Sequence, residues 1–326
     1  MDQINWGIIG CGDVTEVKSG QAFNKVPHSS LVAVMRRDAE KAADYAKRHN
    51  VPAWYDDADA LINDPNVNAI YVATPPGSHA DYAIRAMRAG KPVYVEKPMA
   101  RNTAECEAMS QVSRETGMPL FVAFYRRALP YFLKIKELID TNVIGDIRYV
   151  RIQLNWQPAA RELGEGPEPN WRVSPDISGG GLFHDLASHQ FDFLEYVLGP
   201  IKAANGISRN QAGLYEADDI AMANFEFQSG VLGIGSWCFT VNKEQRLEQT
   251  EFVGSKGKLS FSFFEKYFIR VETETGVANY DIPFPEHVQQ PLIELIVKDL
   301  RGEGNSPSTG ETGARANELI DWITGS

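Results

Sequence analysis

Residues 179–192, GGGLFHDLASHQFD, set two aspartates and two histidines among Leu182, Phe183, Leu186 and Phe191. In a helix, Asp185, His189 and Asp192 recur at i, i+4 and i+7. At about 100° per residue they share a sector of roughly 60°, with Tyr196 beside them. Ionisable groups in so apolar a helix are costly unless they are paired or used. A histidine has the ordinary pKa suited to proton transfer near neutrality, which makes His189 the candidate acid–base group. A neighbouring Asp185 raises its basicity. Asp192 is expected to anchor the helix, and His184, pointing away from the stripe, to be structural. Asp–His–Asp is also a metal-ligand pattern. No further ligand cluster accompanies it, so no metal is expected.

A second reactive residue closes a strand pattern. In AGKPVYVEKPMA (89–100) the apolar run Val93–Tyr94–Val95 ends in Glu96-Lys97-Pro98. Proline biases Lys97 towards an extended backbone and permits a cis bond before Pro98. An isolated Glu-Lys-Pro reads as a surface ion pair. At the carboxyl end of a parallel strand, where ligands bind, it aims an ammonium into the crevice. Beside His189, such an ammonium lowers the histidine's pKa and stabilises an alkoxide. Oxidation of a secondary alcohol needs a base and a hydride acceptor; in the reverse direction either His189 or Lys97 gives the proton.

The acceptor is suggested by GIIGCGDVT (7–15). Gly10 permits a tight strand-to-helix turn, and Gly12 lets a pyrophosphate approach the backbone where Asp13 and Val14 open the helix. Thr15 takes the usual place of a third glycine. At the end of the next strand pattern, Arg36 and Arg37 stand where an NAD site usually carries an acid. Guanidinium groups there suit a 2′-phosphate, so NADP is favoured over NAD.

These residues need a scaffold that presents strand ends. Short apolar runs at Trp6–Ile9, Leu31–Met35, Ala69–Ala73, Val93–Val95 and Leu120–Val122 alternate with helical patterns near 14–25, 39–49, 58–63, 78–89 and 103–116. That is the signature of a doubly wound parallel sheet covered on both faces. Gly90 marks a helix end, and Asn102 with Glu105 a helix start. Beyond Phe124 the texture changes to a helix near 128–140, a long strand, a Pro/Gly-rich stretch and the helix of the opening motif. Strand runs over 201–282 follow, with hairpin signals at 229–230, 254–257 and 275–276, and then helices near 287–301 and 313–324. The fold class is thus α/β plus α+β: a Rossmann-type domain and an open-faced antiparallel sheet domain.

Together GIIGCGDVT, ATPPGSH (73–79), VYVEKP and GGGLFHDLASHQFD, in this order and spacing, resemble the Gfo/Idh/MocA oxidoreductases over essentially the whole chain. The resemblance implies a dinucleotide-binding domain at 1–123, with the terminal helix (about 313–324) packing back on it. It also implies a substrate-binding and oligomerisation domain at 124–312. Lys97 and His189 would be the catalytic pair and Asp185 would orient the substrate hydroxyl. Glu96 would lie by the nicotinamide ribose, with Thr74, Pro75 and His79 lining the cofactor groove. Arg126, Trp171 and Arg172 would approach the nicotinamide or substrate. The activity implied is NAD(P)-dependent oxidoreduction of a sugar, polyol or related compound, in a homodimer or homotetramer joined through the sheet. Two other readings belong to the same fold: a cofactor-bound sensor, which has no need of a proton-transfer set, and an NAD-dependent glycosidase, which the Arg36–Arg37 pair disfavours.

A net charge of −11 argues against nucleic acid and anionic membranes as partners. Three scattered cysteines suit a reducing compartment. With no leader pattern and no spanning apolar run, the protein is expected to be soluble and cytoplasmic.

Overall fold

The computed structural model describes residues 1–165, 170–265 and 267–325. They form two units: Met1–Leu129 with Phe284–Asn317, and Pro130–Pro283 with residues 318–325. Among the described residues no helix is long and apolar enough to cross a membrane.

In the first unit, strands β1 (Ile4–Ile9), β2 (Ser29–Met35), β3 (Ala53–Tyr55), β4 (Ala69–Val72), β5 (Val93–Val95) and β6 (Leu120–Val122) build a parallel sheet ordered β3-β2-β1-β4-β5-β6. The order reverses at β1, between β2 and β4. This is the switch point at which such sheets hold ligands. Helices α1 (Ala39–His49), α2 (Ala58–Ile62), α3 (His79–Arg88) and α4 (Thr103–Thr116) connect the strands. Short polar side chains start three of them: Asp38, Asp57 and Asn102 accept from the N–H groups of Lys41, Ala60 and Glu105 at 3.1, 2.8 and 3.0 Å. Ile70, Val72, Val93 and Val95 pack with Met87 and Met109. The intervening Tyr71 and Tyr94 stack on each other, centroids 4.9 Å apart, in an aromatic group with Trp6 and Phe23. A period of two thus feeds two different cores.

Two details depart from the sequence reading. The helix expected near 14–25 is a π-helical turn, Thr15–Ser19, followed by a 3-10 turn, Gly20–Lys25. The Gly20 N–H donates to the Thr15 carbonyl five residues back, and the Tyr45 hydroxyl donates to the same oxygen at 3.2 Å. A Cβ on Gly20 would stand 2.4 Å from that oxygen, so only glycine permits the approach. Strand β3 was absent from the sequence reading because it is a three-residue edge strand with an exposed Trp54 and no apolar run.

The second unit contains α5 (Pro130–Asp140), β7 (Ile147–Asn155), α6 (Pro175–Ser178), α7 (Leu182–Leu198), β8 (Ile201–Arg209), β9 (Ile220–Phe227), β10 (Leu232–Cys238), β11 (Leu247–Gly254), β12 (Gly257–Phe261), β13 (Ile269–Thr273) and β14 (Gly276–Tyr280). The sheet runs β14-β13-β12-β11-β7-β10-β9-β8. The three hairpin signals fall between the paired strands β9/β10, β11/β12 and β13/β14. The pairing is antiparallel except for β7 with β10, which is parallel. β7 comes first in this unit yet sits at the sheet's centre, and its long connection to β10 includes α7 and needs no tight turn. From α7, Phe183 and Phe191 meet Trp237, while Phe193 meets Phe132 of α5 and Phe261 of β12. The other sheet face leaves Ile207, Met222, Leu232 and Ile234 more than half exposed.

The chain then returns to the first unit with α8 (Gln290–Arg301) and the first turns of α9 (Gly310–Thr324). Gly310 and Gly313 lie so close to Leu120 and Val122 of β6 that a Cβ on either would come within 2.8 Å of a methyl carbon.

Candidate active site

The turn after β1 has the geometry its glycines suggested. Gly10 takes φ +93°, and a Cβ there would lie 2.6 Å from the Thr74 methyl and 2.9 Å from its backbone nitrogen. Both L-residue strain and a clash with the β4 loop therefore exclude a side chain. At Gly12 a Cβ would meet nothing nearer than Arg36 Nη1 at 3.8 Å, and would instead occupy the open space over the turn. The N–H groups of Asp13 and Val14 begin the helical segment, where no preceding turn supplies carbonyls. Thr15 ties the turn to itself: its hydroxyl donates to the Gly12 carbonyl at 2.8 Å and accepts from the Gly12 N–H at 3.0 Å. This cradle fits a dinucleotide pyrophosphate. Arg36 folds back over it and donates to the Cys11 carbonyl at 3.3 Å, whereas Arg37 is exposed. Burial pushes the Cys11 thiol up to about 11, so this cysteine is a neutral packing residue.

The next two strand ends are joined by a histidine. His79 is fully buried, with Nδ1 3.0 Å from the Pro98 carbonyl and Nε2 2.6 Å from the Thr74 carbonyl. It borders the groove through the backbone of its neighbours, and burial lowers its pKa. Thr74 and Pro75, half-exposed, are braced by Ser78, whose hydroxyl meets Thr74 Oγ1 at 2.8 Å and the Pro75 carbonyl at 3.1 Å. Glu96 is buried, and its carboxylate accepts from the Tyr71 hydroxyl (2.5 Å), Gln289 Nε2 (2.6 Å) and the Lys97 backbone N–H (3.2 Å). Lys97 itself is half-buried, and its bond to Pro98 is cis. After β6, Arg126 is buried with its guanidinium over the Tyr125 ring, 5.2 Å from the centroid. Burial pushes the Tyr125 hydroxyl up, but Arg126, Lys18 and Lys97 outweigh it and leave its pKa below the ordinary tyrosine value. Tyr71, Gln289 and Tyr125 escaped the sequence reading. The tyrosines sit in or beside strands that read simply as core, and nothing in the sequence around Gln289 marks it.

In the second unit, α7 begins at Gly181 with φ +87°, where a Cβ would lie 2.5 Å from Ala217 Cβ. Ser178 caps the approach by accepting from the Gly181 N–H at 2.9 Å. His189 is 3% exposed, with its ring 6.1 Å from that of Phe264, which in turn lies 5.7 Å from Trp156. Asp185 is half-buried, and Arg172 Nε reaches its Oδ2 at 3.4 Å while the guanidinium covers the Trp171 ring at 4.3 Å. Trp171, Arg172 and Asp185 therefore form one group. Asp192 and His184 are buried. Among the described residues no group of three or more His, Cys, Asp or Glu side chains is placed to hold a metal ion.

A parallel sheet with a glycine turn at its switch point, followed by an open-faced sheet domain, is matched by two family profiles. Residues 4–124 match the oxidoreductase family with an NAD-binding Rossmann fold, and residues 132–260 match the GFO/IDH/MocA C-terminal domain. The chain belongs to the Gfo/Idh/MocA oxidoreductases. As a member of this family it is an enzyme, a nicotinamide-dependent oxidoreductase. It is 41% identical to "Oxidoreductase P35" of Formosa agariphila over 99% of both chains. It is 28% identical to the myo-inositol 2-dehydrogenase of Thermotoga maritima over 95% of this chain and 92% of that one. In fold it resembles levoglucosan dehydrogenase, solved with NADH and levoglucosan: TM-score 0.85 at 23% identity, covering 98% of this chain and 96% of the other.

Proposed function

We propose that this family member is an NADP(H)-dependent dehydrogenase or reductase acting on a CH–OH group of a sugar, polyol or related hydroxy/oxo compound. A bound nicotinamide supplies the hydride acceptor or donor. The chain's own residues hold the cofactor, orient the substrate and move the proton. Gly10, Gly12, Asp13 and Val14 cradle the pyrophosphate. Arg36 and Arg37 take the adenosine 2′-phosphate. Thr74, Pro75, Glu96, Lys97 and Arg126 line the remaining groove, with His79 behind it, and Trp171 and Arg172 serve the nicotinamide or substrate. Lys97 and His189 handle the proton and Asp185 orients the reacting hydroxyl. The myo-inositol of one relative and the levoglucosan of one structural neighbour support the substrate class. So does the pairing of Arg172 with Asp185, which offsets the arginine's charge and suits a neutral polyhydroxylated ring.

The observation that carries the reading is Lys97 at the carboxyl end of β5, its N–H held by a buried carboxylate. A reduced-nicotinamide assay across sugars, inositols and their keto forms is expected to find turnover, and Lys97→Met to abolish it. Cofactor binding without any turnover across that panel, or full activity in Lys97→Met, would refute the assignment. For the cofactor, fluorescence titration is expected to give tighter binding of NADPH than NADH, and Arg36→Asp to reverse the order. Equal preference in both proteins would remove the NADP assignment. We further propose that a second copy covers the exposed apolar sheet face.

A further inference from the structure

Glu96 is a carboxylate held away from water, and such a group persists only where donors replace its hydration. Two of its three donors come from its own neighbourhood in the sheet: the Tyr71 hydroxyl and the Lys97 N–H. The third comes from far along the chain. Gln289, fully buried at the start of α8, places Nε2 2.6 Å from Glu96 Oε1. Its Oε1 accepts from the Tyr94 hydroxyl at 2.8 Å. The amide therefore has one orientation, because the flipped form would set oxygen against carboxylate and leave the Tyr94 hydroxyl without its acceptor. The Gln289 backbone is fixed too: its N–H donates to the Lys18 carbonyl at 3.4 Å, and its own carbonyl accepts from the Ile293 N–H at 3.0 Å. Tyr94 is locked by stacking on Tyr71, its register partner in β4. Donation thus converges on the Glu96 carboxylate, from Tyr94 through Gln289 on one side and from the Lys97 backbone on the other, with His79 at the Pro98 carbonyl beyond Lys97.

We propose that Gln289 is a positioning residue for Lys97: it fixes the carboxylate that fixes the backbone from which the lysine ammonium extends. The proposal rests on the reading of Lys97 as a proton-handling residue. A residue that merely fills space would be indifferent to whether position 289 carries a donor.

The test uses the full-length protein and the sugar or polyol giving the highest rate in the panel above. Gln289→Met keeps the side-chain volume and removes both hydrogen bonds. It is expected to lower kcat by about 10- to 100-fold, the scale of a misplaced catalytic group. The NADPH dissociation constant, read by fluorescence, is expected to change far less than kcat, since the pyrophosphate cradle and Arg36 and Arg37 are untouched. Gln289→Glu supplies a donor to Glu96 only while its own carboxyl is protonated, so its activity relative to Gln289→Met is expected to rise as pH falls. A folded Gln289→Met with wild-type kcat overturns the proposal. If that variant does not fold, Tyr94→Phe, which removes only the hydroxyl that orients the amide, carries the same test: wild-type kcat again overturns it. Lys97→Met in the same assay separates the two ideas. Its continued activity would defeat the reading of Lys97, whereas its inactivity beside an unaffected Gln289→Met defeats only the role of Gln289.

Discussion

For the two histidines of α7, five residues apart, the proposed function implies different duties. His189→Asn is expected to lower kcat by about 10²- to 10⁴-fold, the usual range for a lost acid–base group, while leaving NADPH binding near wild type. Unchanged kcat would remove His189 from the mechanism. His184 acts on stability. Burial, only partly offset by Asp321 and Asp218, pushes its pKa down to about 4 from an ordinary 6.5. The folded protein therefore resists a proton that the unfolded chain accepts, so stability falls as pH drops from 6.5 towards 4, by roughly 3 kcal/mol in all. Thermal unfolding across this range is expected to show a shallower slope in His184→Gln; an equal slope would mean that another group carries the effect. The residue types and spacing of this motif were legible in the sequence, because one ionisable stripe on an apolar helix has few innocent explanations. Its partners were less so. Arg172 was expected near the nicotinamide or substrate, but nothing linear says that its guanidinium lies on Asp185.

At the scale of elements, close approach decides more than propensity does. Gly181→Ala is expected to cost about 2–4 kcal/mol, because it combines a left-handed backbone with overlap against Ala217. The measurement is chemical denaturation, and a loss below about 0.5 kcal/mol would show that the loop relaxes freely. Strands, helix starts and hairpins were legible because each has a local cause: an apolar run, a capping side chain, a glycine. The π-helical turn after the glycine turn was not. Its cause, the Tyr45 hydroxyl and Gly20 converging on one carbonyl, lies partly in α1, thirty residues away. The parallel β7–β10 pair was likewise hidden, since register between distant strands leaves no trace in a hairpin signal.

For the whole molecule, the open face of the second unit's sheet is the feature to explain. Ile207 lies opposite Met222 and Leu232 opposite Tyr149, while between β9 and β10 Met222 faces Ser236 and Ile234 faces Asn224, so apolar pairs alternate with mixed ones on this face. Several large apolar side chains exposed on one sheet face are typical of surfaces that another protein covers. Replacing Ile207 and Ile234 together by glutamate is expected to yield monomers by sedimentation while leaving the monomer's own fold intact. Unaltered assembly would place the interface elsewhere, and a wild-type protein that sediments as a monomer would remove the proposed second copy.

The first unit is not a continuous stretch of chain. Its sheet is complete by Val122, yet Gln289 and the glycines that lie against β6 arrive only after the whole sheet of the second unit has been made. During synthesis, therefore, Glu96 waits for one of its donors until the nascent chain is almost finished. Any attempt to transplant the nucleotide-binding half into another protein must carry two separate pieces of the gene.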